Sequence, residues 1–143
     1  TVIMSDNKTM LTVSATVNAP IEKVWKCFTT PADIMQWNQA SPDWHCPASA
    51  VDLTIGGKFS ATMAAKDGSF SFDFWGTYDD ILENELLMVT MGDGRKWKTT
   101  FASNGDVTEV VESFEAESQN PLEMQQAGWQ AILNSFKNYT ENL

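Results

Sequence analysis

Apolar and polar positions alternate from the start of the interpretable pattern. Leu11, Val13, Ala15 and Val17 take every second place in LTVSATV, the signature of a half-buried strand. The period then changes. In NAPIEKVWKCFTT, Pro20 marks a helix start and Ile21, Val24, Trp25 and Phe28 recur at helical spacing, until Pro31 ends the run. PADIMQWN predicts a second short helix opened by Pro31. Residues 38–50 hold two prolines and no clean period, and read as a loop.

From VDLTIGGKF onward the alternation of period two returns and predicts a meander of antiparallel strands. KDGS turns between two arms, one with Phe59, Ala61 and Met63 on a face, the other with Phe70, Phe72, Phe74, Gly76 and Tyr78. GDG turns between Leu87, Val89, Met91 and Trp97, Thr99, Phe101. NGD turns into VTEVVESFE, where Val110, Glu112 and Phe114 share a face. The last element is a long helix, with Asn120 as its cap, Pro121 at its first position and Glu123 at capping-box spacing. Leu122, Trp129, Ile132, Leu133 and Phe136 form its apolar stripe.

This order predicts an α+β fold: a curved antiparallel sheet gripping a long C-terminal helix, with two short helices after the first strand. An antiparallel sheet buries one face and needs an element laid against it, and only the last helix is large enough. A curved sheet around a helix leaves a space suited to a small molecule.

Composition narrows the function classes. At 143 residues the chain is read as a single domain, residues 1–143, long enough to bury a core. Nineteen acidic against nine basic residues give a net charge of −10, which argues against nucleic acid and anionic membrane as partners. No run approaches the length of a membrane span, and the opening TVIMSDNKTM lacks the apolar core of a signal peptide, so a cytoplasmic location is expected. Two cysteines form no disulfide framework; Cys27 falls inside a helix as a small core residue. Six tryptophans and eight phenylalanines need either a dense core or a lined cavity.

Two places carry candidate chemistry. QWNQASPDWHCP gathers Trp37, Trp44, the single histidine His45 and Cys46. Adjacent His and Cys reach one metal with poor geometry and no CxxC or HxxxH supports them, so no metal is assigned. Neighbours on an extended segment point to opposite sides, which also argues against a Cys–His nucleophile. A lid with Trp37, Trp44 and His45 as rim groups fits better, beside a structural role in which His45 bonds a backbone carbonyl. Glu112 lies between Val110 and Phe114 on the inward face. A carboxylate there must find partners or hold a proton. Gln125, Tyr78, Trp97 and Thr99 are the donors within the predicted neighbourhood. A buried network joining helix to sheet, or a bulge that turns Glu112 outward, are the alternatives to a ligand site.

The motifs VNAPIEKVW, TTPADIMQWN, DWHCP, DLTIGGKF, AKDGSFSFDFWGTY and QQAGWQAILNSFKNY, in this order, resemble the START-like, helix-grip superfamily. Within it the chain is similar to the branch related to the C-terminal domain of the activator of the heat-shock-protein-90 ATPase. Two positions depart from the pattern: Thr54 stands where the family carries Arg, and Trp75 where similar chains are polar. By alternation Trp75 faces outward. The superfamily includes carriers, cyclases and chaperone co-factors, so the resemblance implies a fold and a set of activities rather than one.

The reading that follows is non-catalytic binding of a small apolar or aromatic molecule between sheet and helix. Phe59, Met63, Phe72, Phe74, Met91, Trp97, Phe101, Trp129, Ile132 and Phe136 are the expected wall, Glu112, Gln125 and Tyr78 the orienting groups, and Trp37, Trp44 and His45 the rim. No cofactor and no catalytic residue is assigned. The runner-up is a chaperone co-factor-like module that meets a protein partner through its acidic surface and Trp75. The third reading is a cyclase- or hydrolase-like enzyme using Glu112 and His45.

Overall fold

The computed structural model describes residues 9–143; the first eight residues of the TVIMSDNKTM segment, and the reading of it, lie outside the described part. Strand β1 (Met10–Val17) alternates strictly between exposed and buried positions, as its sequence does. Helix α1 (Ile21–Thr29) buries Val24, Trp25, Cys27 and Phe28, and α2 (Pro31–Trp37) follows with Pro31 in its first turn. Five further strands form the meander: β3 (Lys58–Ala65), β4 (Ser71–Leu82), β5 (Leu86–Met91), β6 (Lys96–Asn104) and β7 (Val107–Glu115). The chain ends in α3 (Leu122–Glu141).

Residues 44–51 correct the sequence reading. Trp44–Val51 is a strand, β2, where a loop was expected. It pairs with β3 at the sheet's end, and its register shifts between His45 and Ala48, around Pro47. An edge strand needs partners on one side only, so a proline at a bulge is tolerated there. The sheet is thus a seven-stranded antiparallel half-barrel in the order β1-β7-β6-β5-β4-β3-β2, curved around α3. Phe70 lies just before β4 instead of within it, exposed and packed on Trp44 and Phe72.

The start of α3 is a second correction. Pro121 occupies the N-cap position and no side chain caps the helix. Asn120 instead donates its side-chain amide to Glu117, and its carbonyl accepts from the Gln125 amide. Leu122 is exposed and does not join the inner stripe.

Helix α3 also seals one edge of the sheet. Gln126, Gln130 and Lys137 donate to the carbonyls of Thr12, Ser14 and Thr16 on β1, at 2.9, 3.0 and 2.8 Å. One helix face thereby satisfies alternate carbonyls of an edge strand that otherwise invites pairing with another chain. At the far end, the Tyr139 hydroxyl donates to Asp33 at 2.5 Å and ties α3 to α2. No described helix is long and apolar enough to cross a membrane.

Gly76 shows how tightly the sheet's concave face is built. It lies between Phe74 and Tyr78, opposite Phe59 and Met91. A Cβ there would lie 2.7 Å from the Thr90 carbonyl oxygen and 2.8 Å from a Val89 methyl. Gly76→Ala is expected to cost about 1–3 kcal/mol, because backbone has to move. Urea unfolding of the variant checks this.

Candidate functional site

Between the concave sheet and α3 lies a cavity of about 350 Å³. Its walls follow from strand alternation. On β3, Phe59, Ala61 and Met63 face it; on β4, Phe72, Phe74 and Tyr78; on β6, Trp97 and Thr99; on β7, Glu112. Helix α3 supplies Trp129, Ile132 and Leu133 across the space. Trp97 sits at the centre of the aromatic wall, with ring centroids 5.6 Å from Phe59, 5.8 Å from Phe74 and 5.3 Å from Trp129. Phe114 stacks flat on Trp129 at 3.9 Å and fixes that ring from behind.

Eleven of the sixteen residues named from the sequence line this space: Trp37, Phe59, Met63, Phe72, Phe74, Tyr78, Trp97, Glu112, Gln125, Trp129 and Ile132. The other five do not. Met91, Phe101 and Phe136 are buried in packed core beside it; Phe101 meets Trp25 and Phe28, and Phe136 meets Phe28 and Trp37. Trp44 packs outside on Phe70 and Phe72, and His45 is exposed on β2. Of the three expected rim residues, Trp37 lines the cavity, Trp44 packs on the lining residue Phe72, and His45 is outside the lining. Trp37 is buried, stacks on Phe28 and donates its indole N–H to the Cys27 carbonyl at 2.9 Å.

Sequence reasoning also missed lining residues. Phe28, Ile34 and Asn38 come from α1, α2 and the residue after α2; Leu87 and Val89 come from β5. Phe28 and Leu87 were legible as apolar-face positions, but what lies opposite them is set by the tertiary packing. Arg95 and Glu117 line one end of it, where a shallow surface depression shared with Asp93 and Ala116 adjoins.

The charges at that end are held by neighbours. Arg95 donates to the Asp93 carboxylate at 2.7 Å and to the Glu115 carbonyl at 3.0 Å. Glu117 accepts from the Asn120 side chain and from the backbone N–H of Gln119 and Asn120, which lower its pKa. Gln125 does not reach Glu112 as the sequence suggested. Its oxygen accepts from the Glu117 N–H and its nitrogen donates to the carbonyls of Glu117 and Asn120. The whole amide is spent clamping the β7–α3 connection onto the helix.

Glu112 does face inward, directly opposite Thr99 on β6 and diagonal to Trp97. It is only 5% exposed. Burial pushes its carboxyl up to about 8, against the Trp97 indole N–H and the Thr99 hydroxyl, which pull the other way. The carboxyl is therefore protonated at neutral pH. The indole N–H itself is fully buried and meets no acceptor with hydrogen-bonding geometry. The Glu112 carboxyl is its neighbouring acceptor, and their interaction works against the effect of burial on that carboxyl. The Tyr78 hydroxyl is pushed up to about 12, first by burial and then by Asp52, and stays neutral. No group of three or more His, Cys, Asp or Glu side chains suited to a metal occurs among the described residues. Away from the Arg95–Glu117 end, the cavity thus offers ring faces, one neutral acid and a few neutral polar groups.

Comparison with known proteins places this architecture. A family model described as Activator of Hsp90 ATPase homolog 1-like protein matches residues 18–141. No curated protein matches the chain. Among solved structures, Chr148 from Cytophaga hutchinsonii is 60% identical over 95% of this chain and 93% of its own, with a TM-score of 0.78. The AHSA1-like protein from Aeromonas hydrophila is 44% identical over 94% and 93%, with a TM-score of 0.88. CalU16 from Micromonospora echinospora, 18% identical over 92% and 75% with a TM-score of 0.68, shares the fold alone. The family model spans both flanks of the cavity, from α1 to α3, and the chain belongs to the family of activator of Hsp90 ATPase homolog 1-like proteins.

Proposed function

We propose that the protein binds a small apolar or aromatic molecule in the cavity between sheet and α3, without converting it chemically. One observation carries this reading: a volume of about 350 Å³ is walled almost entirely by aromatic and aliphatic side chains. That lies within the range of small-molecule sites, which are mostly apolar with a few polar groups, and here the two charged lining groups, Arg95 and Glu117, sit at one end. Two features weigh against catalysis by Glu112 with His45. Glu112 lies inside the cavity, whereas His45 is exposed on β2 outside its lining. General acid–base work needs both groups within reach of one substrate. Trp75, offered for the protein-partner reading, has neighbours of its own. It is 39% exposed but packs against Gly92, with the Lys58 ammonium 4.6 Å from its ring centroid.

Native mass spectrometry of the protein from its own host, followed by tryptophan-fluorescence titration with an apolar panel, tests the reading. A copurifying adduct, or saturable quenching, is the expected result. Ile132→Trp, which fills the cavity from the helix side, is expected to keep the fold and weaken binding at least about tenfold. No adduct and no quenching by any member of the panel would overturn the proposal.

A further inference from the structure

Trp97 brings a hydrogen-bond donor to the cavity wall. The indole N–H of Trp97 can only donate, is fully buried, and makes no well-formed hydrogen bond, with the Glu112 carboxyl as its protein neighbour. Leaving such a donor unpaired in an apolar interior is costly, and native structures rarely do so without a reason. Beside it, the Glu112 carboxyl carries its proton, so it too has an O–H to give. Thr99, facing Glu112 across the β6–β7 pairing, holds the carboxyl from the other side. The Gln125 oxygen is already used, taking the Glu117 N–H.

We infer that the ligand is a neutral, ring-containing molecule that presents a carbonyl-type acceptor oxygen to the Trp97 indole N–H, with the Glu112 carboxyl as second donor. Ligand charge is selected against from both sides. An anion would enter a space whose one lining cation, Arg95, is bound to Asp93 and the Glu115 carbonyl. A cation would lie against the positive edge of the indole N–H and leave it unpaired. A plain hydrocarbon fits the walls but leaves the same donor stranded, so the acceptor is what separates the preferred ligand from a merely apolar one.

This inference rests on the cavity being a binding site, and a matched pair of probes separates the two ideas. Fluorene and fluorenone share ring shape and differ in one carbonyl oxygen. Fluorenone is expected to bind about tenfold tighter than fluorene, since one made and one stranded hydrogen bond distinguish them. In a nitrogen–proton correlation spectrum, the Trp97 indole signal is expected to move downfield with fluorenone and not with fluorene. Trp97→Phe should bring the two affinities together while fluorene still binds; Met124→Ala, exposed on α3 and outside the lining, should leave their ratio intact. Equal affinities in the unaltered protein, with the Trp97 signal unmoved by fluorenone, would overturn the acceptor inference and leave apolar binding standing. If neither probe binds, both ideas fall. Should Trp97→Phe not fold, the probe pair and the indole signal of the unaltered protein still decide.

Discussion

Between about pH 5 and pH 9 the folded state is expected to lose up to about 5 kcal/mol of stability through Glu112 alone. The carboxyl titrates near 4.5 when the chain is unfolded and at about 8 when buried between Thr99 and Trp97. Between those values the folded state binds the proton and the unfolded state does not, so stability falls as pH rises. The favourable contribution is complete below about 4.5 and gone above about 8. The surroundings offer little to offset the charge once it forms. Val13 of β1 and Thr99 of β6 flank Glu112, and Trp129 and Ile132 of α3 also line the cavity. Of the other ionisable lining groups, Tyr78 stays neutral, Glu117 is anionic, and Arg95 is held by Asp93. Glu112→Gln is expected to remove most of this dependence and to exceed the unaltered protein in stability at pH 9. Thermal melts across the pH range read this directly, and a flat profile for the unaltered protein would contradict a buried, protonated Glu112.

Phe136→Ala is the second large effect, expected to cost about 3–5 kcal/mol. Phe136 is fully buried and meets the Phe28 and Trp37 rings edge-on, at centroid distances of 5.2 and 5.0 Å. It packs α3 against both α1 and α2, so its loss leaves a void between three elements. Urea unfolding should show a lower midpoint with an unchanged slope. Met124→Ala, on an exposed stretch of the same helix, should stay within about 0.5 kcal/mol of the original and serves as the control.

The contrast between Phe136 and Trp129 shows where sequence reasoning stops. Both belong to one apolar stripe on α3, and the helical period places them alike. Trp129 lines the cavity, while Phe136 is packed solid against α1 and α2. Nothing in the period distinguishes the two, because the difference is made by what lies opposite: open concave sheet for one, two short helices for the other. The same holds along β6, where Trp97 borders the cavity and Phe101 is packed against Trp25 and Phe28. Gln125 fails for another reason. Its position toward the inside was legible, but its amide is claimed by local backbone at the β7–α3 connection.

Local chemistry alone therefore determined the alternation of β1 and β3–β7, the two proline-opened helices, the amphipathic stripe of α3 and the inward side of Glu112. Each depends on the period of side chains along one segment, which the sequence carries in full. The tertiary structure decided the rest. Trp44–Val51 became a strand because β3 offered an unpaired edge, which overrode the weak pattern around Pro47. The same edge left His45 in solvent, outside the lining. The cavity itself exists because the sheet's curvature exceeds what α3 can fill, and volume between elements is a property no single segment encodes.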